Sequence, residues 1–276
     1  MAFENEIKKY EELRQRYQSL IINKMDREEY IKYNEVLFST HSCAIEGNSF
    51  SVDDTRELKE KGLGMIPAGK TLFEAFEMLD HFEAYEYMIQ HLQHPLDENL
   101  LKEINKRVTL HTLRSPDAIP GEYTTTDMAA GDTVFGDHEE LIARVPQLLE
   151  STEKAIQAVI QAKNADRKQK EATNALHPMV LAARFHGFYE YLHPFRDGNG
   201  RTGRLISNYI LLRLGHPLLV IPSGCRNEYF SALRMIRTEA TDEHLIHFFF
   251  KMATDKMEQE IKQKKANTKR FMTFLF

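Results

Sequence analysis

Residues 193–204 read HPFRDGNGRTGR, and this stretch decides how the rest of the chain is interpreted. It follows FHGFYEYL (185–192) and precedes TGRLISNYILLRLG (202–215), which has helical periodicity, so the glycines lie at the start of a helix. Unpaired backbone N–H groups and the positive end of the helix dipole favour an oxyanion there. Gly198 and Gly200 allow the backbone to approach such a ligand closely, and a phosphate suits the site best.

The charged side chains of the same stretch extend this hypothesis. Arg201 and Arg204 lie three residues apart on one side of the first helical turn, where they can clamp further phosphate oxygens. Asp197 would repel phosphate unless a cation lies between them, which predicts Mg²⁺ held by this carboxylate and nucleotide phosphates. His193 exchanges a proton near neutral pH and is the candidate general base. The alternative is a capped helix with surface arginines, which fits a lone Gly-x-Gly better than the full set.

The stretch resembles the signature of the Fic family, His-Pro-Phe-x-Asp/Glu-Gly-Asn-Gly-Arg-x-x-Arg, and matches it at every specified position. The resemblance extends over residues 40–250. It implies a mostly helical fold and transfer of AMP from ATP to a Tyr, Thr or Ser hydroxyl of a target protein, with release of pyrophosphate. Relatives that transfer phosphate instead have Lys at the second motif glycine, so Gly200 favours AMP transfer.

The resemblance also implies a role for each motif position. His193 deprotonates the target hydroxyl, and Asp197 holds Mg²⁺. The implied phosphate ligands are the central loop residues and the two arginines: Gly198, Asn199, Gly200, Arg201 and Arg204. Tyr229 and Leu233, in the similar segment RNEYFSAL (226–233), line the adenine pocket or, alternatively, are helix-packing residues.

A second motif, SCAIEGN (42–48), resembles the inhibitory motif of the family, Ser/Thr-x-x-x-Glu-Gly/Asn. Ser42 and Glu46 share a helix face, and Glu46 falls in the last turn, where the helix dipole disfavours an anion. A residue that breaks a local rule needs a partner or a function. The resemblance implies that Glu46 pairs with Arg204 and prevents productive seating of the ATP γ-phosphate. A solvent-exposed glutamate is the structural alternative, and AMP removal with Glu46 positioning water is the alternative activity.

The remaining sequence predicts an all-α fold that contains one short β-hairpin. Ser51 and Asp54 form a variant capping box for a helix that ends near Gly62. A long helix over 70–92 is expected to end near Pro95. We divide the chain into an N-terminal helical region, 1–95, with the inhibitory helix, and a Fic core, 96–276.

Residues 119–138 interrupt the helical pattern and are rich in Gly, Thr and Val. They predict two strands, near 122–127 and 132–135, that pair around MAAGD (128–132), or else an irregular surface loop. The segment resembles the family's flap, a hairpin that receives the target segment as an added strand. Thr124 stands where the family usually has Arg, which affects the choice of target.

Composition and charge restrict the partners and the location. A net charge of −5 gives no general attraction to nucleic acid, and the basic run KQKKANTKR (262–270) continues a helix as a solvated face. Two cysteines form no disulfide framework, the N-terminus lacks the apolar segment of a signal peptide, and no apolar run approaches the ~20 residues of a membrane helix. We expect a cytoplasmic protein without membrane or nucleic-acid partners and, since the chain ends at Phe276, without an added DNA-binding domain.

The resemblance adds a homodimer to the expected partners, beside ATP and a protein target. The alternative to an enzyme is a binding protein without catalytic activity, which senses nucleotide or docks a partner through the flap. The intact motif favours the enzyme, because loss of His193 or Arg204 would be expected in a silent relative.

Overall fold

The structure is a computed structural model that describes residues 3–64, 66–130, 133–164 and 176–266. Within these ranges the chain is built almost entirely of α-helices, so the predicted all-α fold is confirmed. The helices are α1 Glu4–Leu20, α2 Arg27–Ile45, α3 Val52–Lys61, α4 Leu72–Gln90, α5 Glu98–Thr109, α6 His138–Ile142, α7 Val145–Asn164, α8 Pro178–Leu192, α9 Asn199–Arg213, α10 Arg226–Thr238 and α11 Glu243–Ala266. In the same ranges the strands β1 Ala129–Ala130 and β2 Thr133–Val134 form an antiparallel hairpin.

Two further expectations from the sequence concern membrane-spanning helices and the basic run near the C-terminal end. No helix in the described part of the chain is long and apolar enough to cross a membrane. The basic run 262–270 begins in α11, and its residues 267–270 lie outside the described residues.

Local signals set the ends of the helices that lead to the site. The predicted capping box begins α3: the Asp54 N–H donates to the Ser51 hydroxyl oxygen, and the Asp54 carboxylate accepts from the Ser51 N–H. Gly62 ends this helix with a φ of 60°. The prediction that α4 ends near Pro95 is wrong, because α4 ends at Gln90. There the His91 imidazole donates to the main-chain carbonyl of Tyr87 (2.7 Å), so a side chain caps the helix early.

The central helix α9 carries the motif at its N-terminal end. Every residue from Asn199 to Leu211 except Gly200 is buried, and α9 packs against α2, α4, α5 and α8. Asn208 is one of its buried polar residues: its amide group binds both the N–H and the carbonyl of Leu219, at 2.7 and 2.9 Å. Paired polar groups are compatible with burial, so the fold fixes the start of α9 in place.

The main hydrophobic core contains side chains from both sides of residue 95. Its largest aromatic residues come from helices throughout the chain: Tyr10, Tyr17, Tyr85, Phe185, Tyr189, Tyr209, Tyr229, Phe249 and Phe250. A smaller cluster joins α2, α3 and α4: Cys43, Phe50, Leu58, Ala75, Met78 and Phe82. This packing brings the C-terminal end of α2 to the N-terminal end of α9.

The hairpin lies within the predicted segment 119–138. Its strands pair Ala129 with Val134 and Ala130 with Thr133, and the Phe135 N–H donates to the Met128 carbonyl (3.0 Å). Residues 131–132 lie outside the described residues.

The predicted strand at 122–127 is wrong. Tyr123 instead forms an isolated bridge with Phe195, and the Thr124 N–H donates to the Pro194 carbonyl at 2.8 Å. Threonine favours strands only weakly, and here the backbone pairs with the 193–198 loop rather than with the hairpin. The segment before the hairpin therefore supports the motif loop.

Candidate active site

The loop 193–198 joins α8 to α9 and is shaped by its own side chains. His193 is the C-cap of α8 with a left-handed φ of 48°, which is uncommon for a residue other than glycine. The Asn199 side chain donates to the Phe195 carbonyl (2.7 Å) and accepts from the Phe195 N–H (3.0 Å), and Phe195 is buried. The Asn199 side chain thus stabilises the loop, and the backbone N–H of Asn199 remains available to an anion.

Gly198 precedes α9 as its N-cap, with a φ of 76° that favours glycine. A Cβ there would lie 2.6 Å from Cγ2 of Thr109 and 3.0 Å from Cγ1 of Val108, so α5 leaves no room for a side chain. Asn105 of α5 holds the loop by donating to the Asp197 carbonyl (3.0 Å). No described side chain makes a capping hydrogen bond at the first turn of α9, so its backbone N–H groups are available to an anionic ligand.

Arg204 is almost completely enclosed by hydrogen-bond partners. Its Nη2 lies 2.7 Å from Oε1 of Glu46 and donates to the Ser42 carbonyl at 2.8 Å. Its Nε donates to the Ser42 hydroxyl (3.0 Å), and its Nη1 donates to the Tyr229 hydroxyl (3.3 Å). The structure therefore places Ser42, Glu46 and Arg204 in direct contact.

Glu46 caps the C-terminal end of α2, and its side chain remains 31% exposed. Burial raises the pKa of this carboxyl, but Arg204 and Arg201 outweigh burial and lower the pKa below its ordinary value. A Cβ at Gly200 would overlap Oε1 of Glu46. The carboxylate consequently lies directly against the first turn of α9, where an anionic ligand would be placed.

Arg201 has a different carboxylate partner. Its Nη1 lies 2.8 Å from Oε1 of Glu77 on α4, and its Nη2 lies 3.3 Å from Oδ1 of Asp197. The side chains of Arg201 and Glu77 are 5% and 9% exposed, and Asn48 donates to the second oxygen of Glu77 (2.8 Å). Burial raises the pKa of Glu77 despite the opposing effect of Arg201. Both motif arginines are thus buried and paired, Arg201 with a buried carboxylate and Arg204 with a partly exposed one.

The Asp197 carboxylate is the candidate metal ligand. Its Oδ1 accepts from the Gly198 N–H (2.5 Å), and no described residue donates a hydrogen bond to its Oδ2. The side chain is 45% exposed. One open carboxylate oxygen beside an anion site is the donor set that Mg²⁺ needs when phosphates and water supply the other ligands, so the residues fit this ion.

The imidazole of His193 is covered by the hairpin. The Phe135 ring stacks on it with centroids 3.9 Å apart and an interplanar angle of 22°, and the Arg237 guanidinium lies 4.4 Å from the Phe135 ring centre. Burial, reinforced by Arg237, lowers the pKa of His193 to about 4. The ring is therefore neutral at neutral pH and can accept a proton.

Tyr229 and Leu233 lie on α10, at different depths. Tyr229 is fully buried, and its hydroxyl bonds to Nε2 of His186 (2.7 Å) as well as to Arg204. Leu233 is partly buried and packs against the core. In this structure Tyr229 helps to hold Arg204, and the adenine contacts of both residues stay predictions.

The sequence did not predict the contacts of the motif with Glu77, Asn105, Phe135 and Glu190. Glu190 had a local signal, because it lies three residues before His193 on the same helix. The other three reach the motif through tertiary packing, for which the sequence has no local signal.

Comparison with known proteins agrees with the motif. Residues 95–211 match the model of the Fic/DOC family. The protein adenylyltransferase Fic of Drosophila grimshawi is 32% identical over 201 residues, which cover 71% of this chain and 36% of that relative. The chain thus spans just over a third of the length of this curated relative.

Two solved structures show the same fold. A Fic domain containing signaling protein from Bacteroides thetaiotaomicron has a TM-score of 0.74 and 23% identity, over 94% of this chain and 97% of that chain. IbpAFic2, solved in complex with adenylylated Cdc42, has a TM-score of 0.55 and 20% identity, over 91% of this chain and 70% of that chain. Residues 95–211 thus match the Fic/DOC family, and the chain has the fold of a solved Fic domain containing protein.

Proposed function

We propose that this chain is a protein adenylyltransferase, which moves AMP from ATP to a Tyr, Thr or Ser hydroxyl of a target protein and releases pyrophosphate. The observation that carries the proposal is a neutral imidazole, His193, beside the uncapped start of a helix that bears two buried arginines. The name of the curated relative, protein adenylyltransferase Fic, supports AMP transfer. The neighbour solved with an adenylylated protein supports a protein as the acceptor.

In this proposal the reaction is an in-line displacement at the α-phosphorus. The target oxygen bonds to the phosphorus, its proton moves to His193, and the bond between the α-phosphorus and the pyrophosphate oxygen breaks. Positioning and charge neutralisation do most of the work in such a reaction. The groups that hold the phosphates are backbone N–H groups of the loop and the two guanidiniums: Gly198, Asn199, Gly200, Arg201 and Arg204.

Asp197 would hold Mg²⁺ beside the phosphates. When bound, the ion neutralises phosphate charge during transfer. The Asp197 carboxylate also accepts from the Gly198 N–H, a hydrogen bond that must give way when this N–H binds phosphate.

The regulatory part of the proposal is inhibition within the chain. Residues 1–95 act as the inhibitory region and residues 96–276 as the catalytic core. Glu46, supported by Ser42, occupies Arg204 at 2.7 Å and lies against Gly200, so ATP cannot place its γ-phosphate on Arg204. Removal of the Glu46 carboxylate should therefore activate the enzyme.

The target segment is proposed to dock at the flap, 119–138. A narrow groove between the hairpin and α6 leads to the catalytic imidazole. Its apolar lining comes from the flap and from α6 and α8: Met128, Phe135, Leu141, Ile142 and Leu192. The same proposal assigns Leu233 and Tyr229 to the adenine side of the nucleotide. It also includes a cytoplasmic location, a homodimer and no nucleic-acid partner.

The test is transfer of label from α-labelled ATP, with Mg²⁺, to the protein itself and to a cell lysate. The variants are wild type, Glu46→Gly, and Glu46→Gly combined with His193→Ala. Glu239→Gly is a matched control, because Glu239 is an exposed C-cap residue of α10. We expect strong labelling by Glu46→Gly alone, and a loss of about 10²-fold to 10⁴-fold when His193 is also removed.

Two other results would change the conclusion. Intact ATP binding without labelling in any variant would favour a nucleotide-sensing or partner-docking protein. Equal labelling by wild type and Glu46→Gly would refute inhibition by Glu46.

AMP removal from a modified protein is the second candidate activity of the same site. It is favoured by the partial exposure of the ionised Glu46 carboxylate against the first turn of α9, where it could orient a water molecule toward the α-phosphorus. Release of AMP from a pre-labelled protein by wild type, lost in Glu46→Gly, would establish this activity. Equal release by both variants would exclude a role for Glu46 in it.

A further inference from the structure

The side chains of Glu190 and His193 lie next to each other at the end of α8. Oε2 of Glu190 lies 3.8 Å from Nδ1 of His193. Oε1 of Glu190 and Nδ1 of His193 are both shielded from solvent, and neither makes a hydrogen bond with the described residues. Buried polar atoms are almost always paired, so an unpaired atom on each of two neighbouring titratable side chains requires an explanation, and their 3.8 Å separation offers one.

The surroundings leave the Glu190 carboxylate free to turn toward the imidazole. The Arg204 guanidinium is engaged by the partners described above, and the Arg237 guanidinium donates to the main-chain carbonyl of Glu190 (3.1 Å) rather than to its carboxylate. On the α9 side the carboxylate faces Gly203, where a Cβ would lie 3.0 Å from Oε1. The missing side chain at position 203 thus gives the carboxylate its space.

We propose that Glu190 is the positioning residue of the catalytic base: its carboxylate accepts a hydrogen bond from Nδ1 of His193 and directs Nε2 to the target hydroxyl. This inference rests on the proposed AMP transfer. A movement of about 1 Å closes the gap to hydrogen-bond length, which a change of side-chain rotamer supplies. Because Phe135 stacks on the imidazole and restricts its tilt, the carboxylate is the group that moves.

The ionised carboxylate also stabilises the charge that His193 acquires with the proton. A buried imidazole with a pKa of about 4 is a weak proton acceptor, and an adjacent carboxylate raises its proton affinity. Burial, opposed by Arg204 and reinforced by Glu46, raises the pKa of Glu190 to about 7. Its ionisation therefore falls near neutral pH. The other titratable groups that face Glu190 come from α8 and α10: His186, Tyr189, Tyr229 and Arg237.

The test compares Glu190→Gln with Glu150→Gln, both in the Glu46→Gly background. Glutamine keeps the shape of the side chain, and Glu150 is an exposed residue of α7 that pairs with Lys154 far from the motif. We expect Glu190→Gln to lower kcat about 10-fold or more, with the KM for ATP changed less than about twofold. In the Glu46→Gly parent, kcat should rise with pH as Glu190 ionises, with a midpoint at or below about 7. Glu190→Gln should abolish this rise. An unchanged kcat and pH profile in Glu190→Gln overturns the inference.

A spectroscopic readout separates this inference from the proposed function. In the wild-type chain labelled with ¹⁵N-histidine, the Nδ1 resonance of His193 should shift as Glu190 ionises near pH 7, and Glu190→Gln should abolish this shift. If Glu46→Gly transfers no label, the proposed function fails, and the Nδ1 resonance alone decides whether Glu190 contacts His193. A resonance that titrates identically with and without Glu190 refutes the contact.

Discussion

The two motif arginines are each paired with a carboxylate, but the two carboxylates differ in burial. Glu77, the partner of Arg201, is 9% exposed and lies inside the fold on α4. Glu46, the partner of Arg204, is 31% exposed and lies at the end of α2. Burial raises the pKa of Glu77, whereas the arginines lower that of Glu46. The difference supports the proposal that Glu77 is part of the structure, while Glu46 is a removable occupant of the proposed nucleotide site.

Glu77→Ala should have the largest effect on stability. It leaves the buried Arg201 charge with only the 3.3 Å contact to Asp197, and it removes the partner of Asn48. We expect the free energy of unfolding to fall by about 3–5 kcal/mol, because an uncompensated buried charge is costly. Denaturant unfolding measures this, with the exposed Glu83→Ala on the same helix as the control. A loss no larger than that of the control would show that Glu77 is dispensable.

Glu46→Gly should change activity more than stability. Arg204 keeps its hydrogen bonds to Ser42 and Tyr229, so the free energy of unfolding should fall less than in Glu77→Ala. The rate of label transfer should rise about 100-fold, since one transition-state donor is restored. A large loss of stability without a gain in rate would make Glu46 a second structural partner like Glu77.

Gly200→Ala should reveal the position of the Glu46 carboxylate. A Cβ at position 200 overlaps Oε1 of Glu46, so the substitution should cost about 1–3 kcal/mol in the wild type. In the Glu46→Gly background the nearest remaining atom is Nη1 of Arg204 at 3.0 Å, and the cost should fall below about 1 kcal/mol. Unfolding of the four variants measures this coupling, with Gly224→Ala, which meets no atom within 4 Å, as the control. Equal costs in both backgrounds would contradict this placement.

The pH dependence of stability should show the smallest effect. The pKa of Glu46 is lowered from its ordinary value of 4.5, so its ion pair stabilises the fold above that pH and is lost as the pH falls through the lowered pKa. The melting temperature of the wild type should therefore exceed that of Glu46→Gln near neutral pH and approach it in acid below 4.5. A constant difference across this range would show that the carboxylate charge does not contribute.

The sequence predicts the parts of the site that are local. The loop and first turn from His193 to Arg204 are twelve consecutive residues, so helix periodicity and glycine placement are enough to arrange them. The contact of Glu46 with Arg204 joins residues on different helices, and it was expected from the family resemblance rather than from any local pattern. The contacts of Glu77 with Arg201 and of Phe135 with His193 depend on how α4 and the hairpin pack, which no local pattern encodes.

The error at 122–127 has the same origin. The threonines favour a strand locally, but Tyr123 and Thr124 find backbone partners in the motif loop. Tertiary contacts outweighed a weak local preference.

The most direct measurement is the initial rate of label transfer from α-labelled ATP in wild type, Glu46→Gly and the Glu239→Gly control. We expect a rate about 100-fold above wild type for Glu46→Gly, with the control unchanged. Equal rates for Glu46→Gly and wild type, with both chains folded and binding ATP, would contradict the claim that the pairing of Glu46 with Arg204 inhibits the enzyme.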